Sequence, residues 1–525
     1  MPVWWALLIA GSLALLSIAG LPVIDADALY YGKAAKNILA TGDWLALGRP
    51  AYSVDVPPLT IWFMAASLRL GGDTPAALRL WHIAMTLALV AVTYLLARAA
   101  AEREGAILAA LFLLTNQQVL SWSLAPKQDL PLTLFLSLAL LAYLRFRRDA
   151  GTWAAVGAGL CLGLAVLTKG IAAIPAFGVI VAADLMLCWR LGAPGRWRWP
   201  QAIAGAAVFL AVAAPWFAYG VVREGQSFVR LYLLQDSTAW RFFRYYGVPL
   251  PYWAALLAYV PLVIVGVFPW SGVLPGAIRE TCRAAHSRAH PLRLCAVWVL
   301  AVFVVLSVVP GTKSIRYLLP LYPPLSVLAA RSLAPRLDTR RGLWTASGIL
   351  AAMWVLPVAA VMGFGSGTVR SDLKVFLPVI AAFSLVVAAA VFAALRGQGR
   401  VAIALLAGGM ILAHAAYEWT STAEFERRWP WRTVALQIDR RYRSEDRVVM
   451  VGEESQESKH VNYFLTATTI DVTDEDTLKQ SWSRTGVIAV LAPTAYRRIQ
   501  RELRPSVVMA LPTGWVLVTN RQTAP

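Results

Sequence analysis

Runs of about 17–25 mostly apolar residues recur along this chain, each long enough to carry a helix through the roughly 30 Å hydrocarbon core of a bilayer. They constrain the fold more than any other feature, because a backbone in lipid must satisfy its own hydrogen bonds and coils into helices to do so. After a first run over Met1–Val23, further spans are expected near 80–99, 104–122, 129–146, 152–170, 171–189, 201–221, 251–275, 292–310, 316–333, 342–363, 373–395 and 401–418. That makes about thirteen. Composition agrees: of 525 residues 58% are hydrophobic and 15% charged, and the mean hydropathy is +0.60, so the chain reads as a polytopic α-helical membrane protein. The first run has no basic residue ahead of it and no small-residue cleavage site, and is read as a retained span rather than a signal peptide.

A net charge of +19 would suggest nucleic acid in a soluble chain, so its distribution decides. Arg98 and Arg103, then Arg145, Arg147 and Arg148, then Arg190, Arg196 and Arg198 fall in alternate loops. Arg279, Arg283, Arg288 and Arg293, then Arg331, Arg336, Arg340 and Arg341, then Arg396 and Arg400 continue the series on the same side. By the positive-inside rule that side is the cytoplasm. The arginines orient the protein, and no nucleic-acid partner is implied. An odd number of spans then places the C-terminus outside, so residues 1–420 are expected to form a membrane domain and 424–525 a small soluble α/β domain on the outer side. Arg447–Val451 and Gly486–Leu491 have β-type patterning there, Thr494–Leu503 is helical, and Trp515–Thr519 looks like a closing strand. Cys161, Cys188, Cys282 and Cys295 lie in spans or on the cytoplasmic side, which implies no disulfide framework.

The outer loops hold the chemistry. The first, Ile24 to about Arg79, carries Asp25, Asp27 and Asp55 and is long enough for two amphipathic helices, Ala28–Thr41 and Leu59–Leu70. Asp129 opens the span after the second outer loop, where an Asp before Leu-Pro also suits a helix N-cap. Lys169 ends a span at the third outer turn. Arg241 lies in the fourth outer loop, and Lys313, Arg316 and Tyr317 in the fifth. Basic groups outside run against the positive-inside bias and need another reason, for which an anionic headgroup or phosphate is the natural one. Carboxylates can deprotonate a hydroxyl nucleophile or bind a divalent cation, while Lys and Arg hold a departing phosphate. Together they point to group transfer from a lipid-borne phosphate.

The spacing resembles the type C glycosyltransferases that use polyprenyl-phosphate sugars, in particular the bacterial aminoarabinose transferase and protein O-mannosyltransferase-like superfamily. The resemblance rests on Asp27-Ala28-Leu29-Tyr30-Tyr31 through Gly42-Asp43-Trp44, on Asp55-Val56-Pro57-Pro58-Leu59 with Trp62, and on Gln128-Asp129-Leu130-Pro131. It continues through Leu167-Thr168-Lys169-Gly170, Ala214-Pro215-Trp216, Trp240-Arg241-Phe242, Phe268-Pro269-Trp270-Ser271 and Lys313 to Pro324, in order over roughly residues 1–330.

The resemblance implies an inverting transfer of a sugar from a polyprenyl-phosphate donor to a glycolipid such as lipid A, another glycan or a protein, at the outer face of a bacterial inner membrane. Asp27 would be the carboxylate beside the acceptor nucleophile, supported by Asp25, Tyr30 and Tyr31. Asp55 and Asp129 would line the same cavity and are the candidates for a divalent metal. Lys169, Arg241, Lys313, Arg316 and Tyr317 would hold the donor phosphate. Two departures stand out: Val56 replaces the usual lysine, which speaks against an aminoarabinose substrate, and Gln235-Asp236-Ser237 replaces a His or Glu often found there, which speaks against a metal. The alternative from another class is a multi-pass lipid or solute transporter or flippase. Its ionisable residues would belong near the bilayer midplane, whereas these cluster at span ends.

Overall fold

The computed structural model describes residues 2–45, 56–192, 196–233, 257–287, 290–308, 314–337, 367–452, 455–483 and 486–521. Two compact units emerge: Met1–Gly20 with Asp43–Tyr417, and Leu21–Gly42 with Glu418–Pro525.

The first unit is helical. It begins with α1 (Pro2–Ser17), followed after the segment of the second unit by α3 (Leu59–Gly71), α4 (Pro75–Arg98), α5 (Arg103–Leu114) and α6 (Gln117–Ser123). Next come α7 (Asp129–Asp149), α8 (Thr152–Lys169), α9 (Ala173–Arg190) and α10 (Trp199–Glu224). Among the described residues, seven helices are long and apolar enough to cross a membrane, or nine if the bent pairs α5–α6 and Tyr259–Gly266 with Trp270–Ala285 each count as one span. Fewer spans are therefore described than the thirteen expected. The expected span 342–363 lies outside the described residues, and 316–333 is a 3₁₀ stretch followed by a short helix, Tyr322–Leu333. The run Thr152–Arg190 is broken at Gly170, whose φ of +80° only glycine adopts without strain, and α8 and α9 meet there as two helices. Large apolar side chains such as Ile203, Leu210 and Val222 on α10 and Leu385 and Leu412 further on are exposed, as faces turned to lipid require.

Close packing between spans depends on small residues. A Cβ on Gly159 of α8 would meet the Gly205 carbonyl of α10, and one on Gly163 would meet Val212, so the glycines seen in that span serve backbone approach.

The second unit centres on a five-stranded sheet in the order β2-β1-β3-β5-β4. Its strands are β1 (Arg447–Val451), β2 (Asp471–Thr473), β3 (Val487–Leu491), β4 (Ser506–Ala510) and β5 (Val516–Thr519). β1 pairs in parallel with β2 and β3, whereas β5 runs antiparallel to both β3 and β4. The strand taken from sequence as closing the domain is thus interior, and β4, with its bulge between Val507 and Met509, is one edge and β2 the other. Every residue of β3 and β5 is buried, as strands covered on both faces should be, and Trp431, Val434, Ile438, Val461 and Ile499 supply the helical cover.

The helix α2 (Ala26–Thr41) belongs to this second unit. Its buried face, Ala28, Leu29, Tyr31, Lys33, Ala35 and Ile38 among others, packs on the Ser455–Phe464 helix. Lys33 Nζ donates to the Leu465 carbonyl at 2.7 Å, and Lys36 Nζ donates to the Tyr463 carbonyl at 3.1 Å while standing 3.6 Å over the Tyr463 ring. Cations suit that place, because the last carbonyls of a helix have no partners within it and carry partial negative charge.

Candidate active site

In the first unit the turns between helices gather charged groups. Asp129 starts α7, but its side chain does not cap the helix: it forms an ion pair through Oδ1 with Lys169, the last residue of α8. Both side chains are largely removed from solvent, at 4% and 10% exposure. Asp129 Oδ2 is also buried and has no hydrogen-bond partner among the described residues. A buried carboxylate oxygen left in this state is costly unless something supplies a donor to it.

Lys169 also lies 4.8 Å from the ring centroid of Tyr317, and the Arg316 guanidinium stands 5.5 Å from the same ring. Asp129, Lys169, Arg316 and Tyr317 are therefore brought together, from two helix ends and the 3₁₀ turn Ile315–Leu321. Pro57 packs 3.7 Å from where a Cβ on Gly170 would stand, which sets the proline pair before α3 beside the Lys169 turn.

The turn that precedes Asp129 is held by buried side chains of α4. His82 contacts the Ser123 and Lys127 carbonyls at 2.9 and 3.2 Å, and Arg79 donates to the Leu124 carbonyl at 3.0 Å. Two tryptophans fasten the turn after α2: Trp62 Nε1 donates to the Trp44 carbonyl at 2.7 Å and Trp216 Nε1 to that of Leu45 at 3.1 Å. The Pro215-Trp216 pair, uninformative by itself in the sequence, acquires its meaning from that bond.

In the second unit, Asp25 is the N-cap of α2, accepting from the Ala28 N–H at 2.8 Å. Asp27 forms an ion pair with Lys459 at 2.7 Å, and Lys459 Nζ lies 5.4 Å from the Tyr30 ring, which in turn meets Tyr31 edge-on at 5.6 Å. His460, which sequence alone suggests is a surface histidine, is buried; it contacts the Ile24 carbonyl at 3.0 Å and packs on Phe425. Lys459 was not legible beforehand, since 432 positions separate it from Asp27 and its helix carries no motif. Asp55, Arg241 and Lys313 lie outside the described residues.

Among the described residues, the donor atoms of Asp184, Cys188 and His290 lie within 4.8 Å of one another, a spacing a metal could use. Arg293 fills that space, with Nε 3.2 Å from Asp184 Oδ1 and Nη2 2.9 Å from Cys188 Sγ, and Tyr143 donates to Asp184 Oδ2 at 2.9 Å. The guanidinium already balances the carboxylate, so the cluster ties α7 and α9 to the His290–Val308 helix. Of the two residues that sequence assigns to a metal, Asp129 has its charge met by Lys169.

Apolar helices long enough to cross a bilayer, ending in carboxylates and cations, in a chain that also carries an α/β unit, are the features of a multi-span membrane protein. Residues 55–219 match the family described as dolichyl-phosphate-mannose-protein mannosyltransferase. Undecaprenyl phosphate-alpha-4-amino-4-deoxy-L-arabinose arabinosyl transferases are similar in sequence. The one from Aeromonas hydrophila is 27% identical over 59% of this chain and 56% of its own length, and one from Pseudomonas aeruginosa 29% identical over 64% and 60%. The matches thus span little more than half the length of these relatives. The crystal structure of ArnT from Cupriavidus metallidurans shares the fold, with a TM-score of 0.80 at 21% identity over 99% of both chains. Over residues 55–219 the chain is thus similar to the mannosyltransferase family, over a longer stretch it is similar to the aminoarabinose transferases, and it shares the ArnT fold.

Proposed function

We propose that this protein is an inverting glycosyltransferase that moves a sugar from a polyprenyl-phosphate donor to a glycolipid, glycan or protein acceptor. The observation that carries the reading is the buried Asp129–Lys169 pair with its unpartnered carboxylate oxygen beside Arg316 and Tyr317. A transporter would want such groups along a path, whereas these sit where helices end. A relative of known structure is described as bound to undecaprenyl phosphate, the leaving group this chemistry requires.

In the proposed reaction an acceptor hydroxyl attacks the anomeric carbon of the sugar. Its proton passes to the Asp27 carboxylate as the new C–O bond forms, and the bond from the anomeric carbon to the phosphate oxygen breaks. Polyprenyl phosphate departs with its charge held by Lys169, aided by Arg241, Lys313, Arg316 and Tyr317. Asp129 holds the Lys169 ammonium in place, and Asp55 lines the cavity. Phosphate is already a competent leaving group, so no general acid is required on that side, and geometry and charge stabilisation carry most of the catalysis. The finer topology belongs to the same proposal: about thirteen spans in a bacterial inner membrane, with the reacting groups and the 424–525 domain on the periplasmic side.

The test is to incubate the purified protein with a panel of polyprenyl-phosphate sugars and follow release of polyprenyl phosphate. Release is expected from at least one donor; none from any donor sinks the enzyme reading. The product's anomeric configuration, read by NMR, is expected to be inverted relative to the donor, and retention would reject a single displacement.

A further inference from the structure

The polar contacts seen between the α2 segment and the rest of the α/β unit differ in kind. Lys33, Lys36 and His460 all end on main-chain carbonyls, those of Leu465, Tyr463 and Ile24, and so serve helix docking. Lys459, next to His460 on the Ser455–Phe464 helix, ends instead on a side chain, the Asp27 carboxylate at 2.7 Å. With the two side chains 22% and 31% exposed, the pair adds little to stability. The buried face of α2 and the three carbonyl contacts hold the helix independently of this pair. What the Lys459 ammonium does determine is where one oxygen of Asp27 stands and that the carboxylate has a cation beside it.

We infer that Lys459 is a positioning residue for Asp27. The inference rests on the proposed reading of Asp27 as the base that accepts the acceptor's proton. A base acts only while ionised and aimed at the hydroxyl. Lys459 holds Oδ1 and thereby limits the rotamers of a side chain in the first turn of α2. When the proton arrives, Asp27 becomes neutral and Lys459 loses its counter-ion, which favours return of that proton to water before the next turnover.

The experiment compares Lys459→Met, which keeps the hydrocarbon stem over Tyr30, with Lys459→Arg in the full chain. It measures kcat, KM for the donor lipid and for the acceptor, and the thermal midpoint. In Lys459→Met, kcat is expected to fall about tenfold with the donor KM within about twofold and the midpoint unchanged, while Lys459→Arg recovers most of the rate. A kcat near that of the parent in Lys459→Met, or an arginine variant no faster than the methionine one, overturns the inference. So does a loss of folding in Lys459→Met, because the lysine's role is then structural. If the parent releases polyprenyl phosphate from no donor, the proposed function fails and takes this inference with it. A parent that turns over beside an unaffected Lys459→Met removes Lys459 alone.

Discussion

Lys169→Met is expected to damage this protein twice, in stability and in transfer. The lysine's partner Asp129 has a side chain only 4% exposed, and Oδ2 already lacks a hydrogen-bond partner. Removing the ammonium leaves a buried carboxylate with no counter-charge, and breaking such a pair costs about 3–5 kcal/mol. The transfer rate should fall about 10²–10³-fold, the range for deleting one group that stabilises developing charge. The two losses separate in the double variant Asp129→Asn/Lys169→Met. A neutral amide no longer needs a cation, so the thermal midpoint should return most of the way to that of the parent while transfer stays low. Recovery of transfer in the double variant would show that Lys169 only neutralises Asp129. An unchanged midpoint in Lys169→Met would show that the pair is not buried as described.

Asp27→Asn is expected to lower kcat by about 10²–10⁴-fold, the usual contribution of a positioned general base. Its effect on folding should be small, within about 1 kcal/mol, because the partner Lys459 is open enough to be hydrated when the carboxylate is gone. The N-cap is unaffected, since Asp25 and not Asp27 accepts the Ala28 N–H. Steady-state rates beside a thermal melt check both halves, and a variant as active as the parent takes Asp27 out of the catalytic role.

The first stretch of outer loop shows how far sequence reaches. The two helices expected at Ala28–Thr41 and Leu59–Leu70 are present as Ala26–Thr41 and Leu59–Gly71, because caps, glycines and the proline pair are local signals. The division of Asp25 from Asp27 came from the register of the family resemblance, whereas that Asp25 caps α2 and Asp27 lies in its first turn is seen only in the structure. Asp129 was ambiguous, since an acidic residue before Leu-Pro fits a cap; its side chain instead reaches Lys169, and only the packing of α7 against α8 decides between the two. The α/β character of residues 424–525 came from short β-type runs, yet the place of Val516–Thr519 inside the sheet did not, because strand order is a matter of pairing and not of pattern.

Sequence by itself determined the solvent of this protein and pointed to the chemistry proposed for it. A bilayer imposes length and apolarity on every crossing, so spans announce themselves, and cations placed against the charge bias announce an anionic ligand. Tertiary structure alone decided which groups meet. Lys169 and Asp129 are 40 positions apart and Lys459 and Asp27 are 432 apart, and nothing local to either member selects its partner. Coulombic attraction acts over a few ångströms of space whatever the distance along the chain, and it is the packing of helices that brings such charges within reach.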